Sequence, residues 1–177
     1  MISDADASLV EAARAGDHGA FARLVQRHQQ GVRGFLRRSC GDFSEADDLA
    51  QETFLSAWER LAQFRGESSL RSWLCGIAWR KLLASRRSVN RARARDTAYH
   101  DLSEGGGALE PAMRVALAKA LSALPLDQRA CVAMCLAAGY SHSEAAQALE
   151  MPLGTVKSHV LRGRERLLAA LGDDNDR

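Results

Sequence analysis

At 177 residues, 46% of them hydrophobic, the chain can close one core of ordinary size or two small ones. No apolar stretch reaches bilayer-spanning length, and the opening MISDADASLV has neither the basic start nor the apolar run of a signal peptide, so a cytoplasmic protein with no membrane segment is expected. The formal net charge of +2 hides a split: residues 1–95 carry 16 Lys/Arg against 11 Asp/Glu, residues 96–112 carry 4 Asp/Glu and no Lys/Arg, and residues 113–172 carry 7 against 4. Two basic bodies flanking an acidic connector fit a shared polyanionic partner.

Three prolines and few β-branched runs predict an all-α chain. A short helix over residues 9–15 comes first. The next is capped by Asp17 and repeats Phe21, Leu24, Val25, His28, Val32, Phe35 and Leu36 at helical spacing, which assigns His28 to the core. After a break at 40–43, Ser44 and Asp47 form a capping-box pattern. The helix they open buries Ala46, Leu49, Ala50, Thr53, Phe54, Ala57, Trp58 and Leu61. A loop over 63–69 precedes a helix in which Leu70, Trp73, Leu74, Ile77 and Ala78 resume the spacing to about Ser88. These four segments predict one bundle over residues 1–95.

Residues 96–112, acidic and holding three consecutive glycines, predict a flexible linker. Helices over 113–124 and 127–138, separated by Pro125, begin a second bundle that ends at 172, and the acidic 173–177 reads as a disordered tail. The fold class is thus all-α: two small helical bundles joined by a flexible linker, the second containing a helix-turn-helix. That motif spans Gly139 to Leu167. Ser141 with Glu144 predicts a capping box for its first helix, which buries Ala145, Ala146 and Leu149. Pro152 ends the helix and Gly154 is read as the residue that lets the second one start at a steep angle. The second helix is expected to bury Val156, Val160, Leu167 and Leu168, and to present Thr155, Lys157, Ser158, His159, Arg162 and Arg164 to a DNA major groove.

Two further surfaces stand out. The third helix sets Leu55 among Asp48, Gln51, Glu52 and Glu59, a polar rim around one apolar residue, as a protein partner would use it or as a solvated face with one stray leucine would show. Seven cations (Arg80, Lys81, Arg86, Arg87, Arg91, Arg93 and Arg95) follow Trp79 with no acidic residue among them. Cations interleaved with aromatics suit a nucleic acid whose bases leave the stack. Trp73 is assigned to the core by its spacing, which leaves Trp79 and Phe64 for contact. Catalysis has little support: Asp47, Asp48 and Glu52 diverge around a helix, and GGG is not followed by the Lys and helix of a phosphate loop. Cys40, Cys75, Cys131 and Cys135 lie inside helical patterns as small hydrophobes, and Cys131 and Cys135 lack a second pair at ligand spacing, so neither metal nor cofactor is expected.

DDLAQETFLSAW (Asp47 to Trp58), FRGESSLRSWL (Phe64 to Leu74) and MPLGTVKSHVLRGRERL (Met151 to Leu167), in this order with a linker before the third, resemble the extracytoplasmic-function (ECF) sigma factors, compact initiation subunits of bacterial RNA polymerase. The resemblance implies a non-enzymatic transcription initiation factor whose partners are core RNA polymerase, promoter DNA and an anti-sigma factor. It implies polymerase binding through Asp47, Asp48, Gln51, Glu52 and Leu55. Contact with the minus-ten element is implied for Phe64, Arg65, Ser68, Trp79, Arg80 and Arg87, including capture of a flipped base by the loop. The minus-thirty-five element falls to Thr155, Lys157, Ser158, His159, Arg162 and Arg164. The chain departs from the family's common pattern at Arg80 and Ala84, where Asn and Asp are usual, at His159, where Arg is usual, and at Ala145, where Ile is usual. The residues alone leave open a free-standing helix-turn-helix regulator that binds an operator as a dimer.

Overall fold

A computed structural model describes residues 3–93 and 111–173, so the expected linker and tail lie outside the described residues, Pro111, Ala112 and Asp173 excepted. Pro111 opens a helix, as suits a residue with no N–H to leave unpaired. Eight α-helices are described: α1 (Asp4–Arg14), α2 (His18–Cys40), α3 (Phe43–Arg60), α4 (Leu70–Arg93), α5 (Pro111–Ser122), α6 (Leu126–Val132), α7 (His142–Leu149) and α8 (Leu153–Asp173). A 3₁₀ turn, Leu61–Gln63, extends α3, and a π-helical turn, Ala133–Ala137, extends α6.

The caps explain most boundaries. Ser3 accepts from the Asp6 amide and starts α1 earlier than the apolar pattern indicates. Asp17 caps α2 as expected, accepting from the Ala20 amide, and Gly41 ends α2 in the left-handed region at φ 78°. The expected Ser44–Asp47 box does not form. Asp42 accepts from the Glu45 amide and starts α3, which frees Asp47 to take both oxygens to Arg37 at 3.1 Å. His28 is no plain core residue: its Nε2 lies 3.2 Å from Asp6, whose other oxygen takes the Arg27 guanidinium at 2.7 Å. That buried carboxylate ties α1 to α2.

α4 is the central helix. It packs on α2 and α3 from its own bundle and on α7 from the second. Leu74 through Trp79 are therefore buried without interruption, as for a helix enclosed on all sides. The two bundles are not separate bodies here, since one buried cluster runs from Val10 to Val160 across both. A second, small cluster (Ala120, Leu124, Val132 and Leu167) closes α5 and α6 on α8. Val156, Val160, Gly163 and Leu167 form the stripe of α8 that turns inward. Leu168, assigned to that stripe from the sequence, is 59% exposed, because one residue beyond Leu167 is a turn of about 100° around the helix.

Two predictions follow from these contacts. A Cβ on Gly163 would stand 2.5 Å from Cγ2 of Val132, a side chain stiff at χ1. Overpacking of about 1–3 kcal/mol then exceeds the roughly 1 kcal/mol that alanine adds to a helix interior, and Gly163→Ala should lower the urea midpoint. Burial works against the charge of Asp6, but hydrogen bonds from Arg27, His28 and Ser3 and the charge of His28 outweigh it and hold this carboxyl below the usual carboxylate range. Its contribution is complete above the unfolded pKa of about 3.9 and is lost as pH falls through the folded value. Asp6→Asn should lower stability at neutral pH, with the deficit narrowing below about pH 4 in denaturation series.

Candidate functional site

The helix-turn-helix forms with its capping box intact. The Glu144 amide donates to Ser141 Oγ at 3.2 Å and the Ser141 amide donates to Glu144 at 2.9 Å. That backbone donor, with the Ser141 hydroxyl, holds the Glu144 carboxyl below its ordinary range. The turn is made differently from the expected way. Glu150, not Gly154, takes the left-handed conformation, at φ 55° and ψ 40°, and its amide returns to the last turn of α7. Pro152 then accepts the first helical bond of α8, from the Val156 amide at 3.1 Å, where its missing N–H costs nothing.

The six expected α8 contacts divide around the helix. Ser158 and Arg162 are exposed on one flank, with Thr155 and His159 half-buried beside them. Lys157 and Arg164 are exposed on the other flank, next to Leu161 and Leu168. His159 Nδ1 is enclosed without a hydrogen-bond partner, so this ring is already partly spent on packing.

On α3, Asp48, Gln51 and Glu52 are exposed and Leu55 is 67% exposed. Glu52 takes Lys81 of α4 at 3.1 Å. Asp47 is turned toward α2, where Arg37 and Arg33 hold it, and so it is not part of that open face.

The loop between α3 and α4 borders a cavity of about 220 Å³, whose walls include Arg65, Ser68, Trp73, Arg80 and, from α7, Gln147 and Ala148. Here the aromatic assignments reverse. Trp79 is 2% exposed in a helix packed by α2, α3 and α7, and in this arrangement it offers no face to a base. Phe64 is 3% exposed and serves as a wall, its ring 5.1 Å from that of Trp73. Trp73, expected in the core, is the half-buried one. Ser69 caps α4, accepting from the Ser72 amide at 3.1 Å, and fixes the far end of the loop.

Among the described residues, the cations after Trp79 are largely engaged. Arg86 donates to the Cys40 carbonyl at 2.6 Å and to Glu45 at 3.0 Å, and Arg80 pairs with Glu150 of the helix-turn-helix at 2.6 Å. Arg87 is exposed farther along α4. The side chains of Arg91 and Arg93, and all of Arg95, lie outside what is described.

The seam between bundles was not legible from sequence. Arg71 donates to the Ala138 carbonyl at 3.2 Å and covers the Tyr140 ring at 3.8 Å. Tyr140 Oη meets the Cys75 thiol at 3.1 Å, and burial pushes that thiol up to about 11. Arg129 of α6 reaches the Ser39 carbonyl at 3.3 Å. At Gly76 the helices nearly touch: a Cβ there would stand 3.1 Å from the Ala148 carbonyl oxygen. The spacing Arg71, Cys75, Gly76, Arg80 marks one face of α4, but it reads as any amphipathic stripe until its partner is known.

A backbone carbonyl cannot rotate away as a side chain can, so Gly76→Ala should loosen α7 from α4. The expected result is a larger radius of gyration by small-angle scattering with unchanged helix content; an unaltered scattering curve would count against this approach holding the seam.

The sigma-70 region 2 family profile matches residues 24–92, and the sigma-70 region 4 profile matches residues 114–167. The chain is 35% identical to the ECF RNA polymerase sigma factor SigM of Mycobacterium tuberculosis over 171 residues, covering 94% of this chain and 85% of that one. It is 31% identical to the RNA polymerase sigma-H factor of Pseudomonas aeruginosa, covering 97% and 96%. Among solved structures it is similar to the sigma factor RpoE in complex with the anti-sigma factor NepR from Bartonella quintana, with a TM-score of 0.73 and 28% identity over 86% of this chain and 96% of that one. CnrH in complex with the cytosolic domain of CnrY gives 0.70 and 27% over 97% and 99%.

Proposed function

Because the chain belongs to the ECF sigma factors of the sigma-70 family, which are initiation factors and not enzymes, we propose how its surfaces divide the work of promoter recognition by RNA polymerase. The open face of α3, with Leu55 ringed by Asp48, Gln51 and Glu52, docks on core polymerase. The observation that carries this assignment is a leucine 67% exposed within an acidic helix face, where rim charges steer and the leucine supplies the desolvated contact. The flanks of α8 engage the minus-thirty-five element, with Arg162 and Ser158 on one side and Lys157 and Arg164 on the other. The cavity behind the 64–68 loop receives an unstacked minus-ten base. Arg65, Ser68 and Trp73 line it, and Arg87 supplies phosphate contact nearby. Family membership replaces the free-standing dimeric regulator.

Gln147 and Ala148 complete the cavity wall, so a base that enters it also meets α7. Melting in this reading uses binding energy alone: unstacking costs a few kcal/mol per base, and a fitted pocket with stacking returns a similar amount. One structural relative is a complex with an anti-sigma factor, and a protein inhibitor of this chain follows by the same likeness.

The test is run-off transcription and co-elution with core polymerase. Leu55→Asp should weaken core binding by about thirtyfold, the size of a truncated interface hot spot. Arg162→Ala should co-elute normally but lose selectivity among upstream-element variants. Unchanged co-elution of Leu55→Asp would remove the α3 assignment.

A further inference from the structure

α1 lies before the stretch that the region 2 profile matches, and the division of work above gives it no task. It nevertheless reaches the loop. Arg14, in the last turn of α1, donates through Nε to the Leu61 carbonyl at 3.1 Å and through Nη2 to the Phe64 carbonyl. These carbonyls bracket the 3₁₀ turn that ends α3, and the Leu61 oxygen also accepts the Phe64 amide at 3.2 Å. A guanidinium is a rigid planar fork. Gripping two carbonyls three residues apart fixes the pitch of the turn and the direction in which the chain leaves toward Arg65. The charge is well placed too, because the negative ends of α1 and α3 converge on it.

The loop needs such a support. Residues 65–69 have no helix or strand of their own. Their far end is held by Ser69 capping α4, and their near end by the buried Phe64 and the donors of Arg14. α1 is itself anchored at its opposite end by Asp6, between Arg27 and His28 of α2. A bracing path therefore runs from α2 through α1 to the near wall of the cavity.

We propose that Arg14 is a positioning residue for minus-ten base capture, with α1 as the brace that aims the 64–68 loop. The proposal rests on the reading that this loop takes an unstacked minus-ten base. Arg14 touches no DNA in this role; it sets where Arg65 and Ser68 stand. Hydrogen-bonded discrimination between bases depends on placement to about half an ångström, so a loosened loop loses selectivity before it loses binding.

The experiment uses the full chain with core polymerase on a promoter library randomised across the minus-ten element. Arg14→Ala, Arg14→Lys and Ser68→Ala are compared with the parent, and amide hydrogen exchange is followed over residues 64–69. Arg14→Ala should co-elute with polymerase and keep its upstream selectivity, while its preference at one minus-ten position flattens about tenfold and the loop amides exchange faster. Arg14→Lys, which offers a point charge and no fork, should fall between the two. If Arg14→Ala lowers transcription by the same factor on every library member, the residue is only structural and the proposal fails. Should Arg14→Ala be too unstable to assay, a parental preference profile for Arg14→Lys overturns the proposal and a flattened one supports it. If Ser68→Ala flattens the profile and neither Arg14 variant does, the loop reading stands and the brace falls. If Ser68→Ala leaves the profile intact as well, the loop reading itself is wrong.

Discussion

The arrangement of this molecule depends on one close approach, that of α7 on α4 at Gly76, where a Cβ would meet the Ala148 carbonyl oxygen at 3.1 Å. A residue without a side chain lets the two backbones come this near with neither giving way. Once they do, Tyr140 is buried between Arg71 and Cys75, and Ala145, Ala148 and Leu149 join the core of the first bundle. The interior of α4 becomes enclosed all round. α6 and the π-helical turn add a second line of contact through α2, so the two bundles share one core larger than either would have alone.

The same seam holds Glu150. A non-glycine residue in the left-handed region costs about 1–2 kcal/mol, and glycine or asparagine is the usual occupant at a helix end. Here the side chain reaches Arg80 at 2.6 Å. Both partners are substantially exposed, so the pair adds little stability, about 0–1 kcal/mol. Its consequence is electrostatic. Arg80 lies on the surface proposed for promoter DNA and, while the bundles are together, its charge is answered by a carboxylate from the other bundle.

Periodicity and capping residues carried most of the fold. Asp17 and the Ser141–Glu144 box start helices where the sequence places them, because a side-chain oxygen three residues before an unpaired amide is a local signal. Asp42 competes with Ser44 for the same role and wins, and Asp47 is taken by Arg37 of another helix, a contact no local pattern contains. The aromatic residues fail for a related reason. Spacing along α4 assumes one buried face and one open face, but α2, α3 and α7 all pack on it; Trp79 goes in and Trp73, at the rim of the loop, is left half out. Leu55 was legible because a solitary apolar residue on an acidic face needs no knowledge of neighbouring helices. The Arg14 contacts were not, since their acceptors are backbone carbonyls some fifty positions away, without sequence identity of their own.

The location of the seam also decides which partner can open it. A ligand shifts an equilibrium only by its difference in affinity for the two states. The α3 face around Leu55 is exposed while the bundles are together, so a partner confined to it binds the closed and open forms alike and shifts nothing. The ion pair between Arg80 and Glu150 resists little. Fully burying one large apolar side chain is worth about 1.5–3 kcal/mol, so seam residues such as Tyr140 set the larger part of the opening cost. A partner that separates the bundles must meet that cost with contacts available only when α7 has moved, such as those made by the second bundle at a distance from the first. On the assignments proposed above, polymerase docking through α3 and promoter engagement through α8 are different kinds of event: the first favours neither arrangement of the bundles, whereas the second can favour one of them.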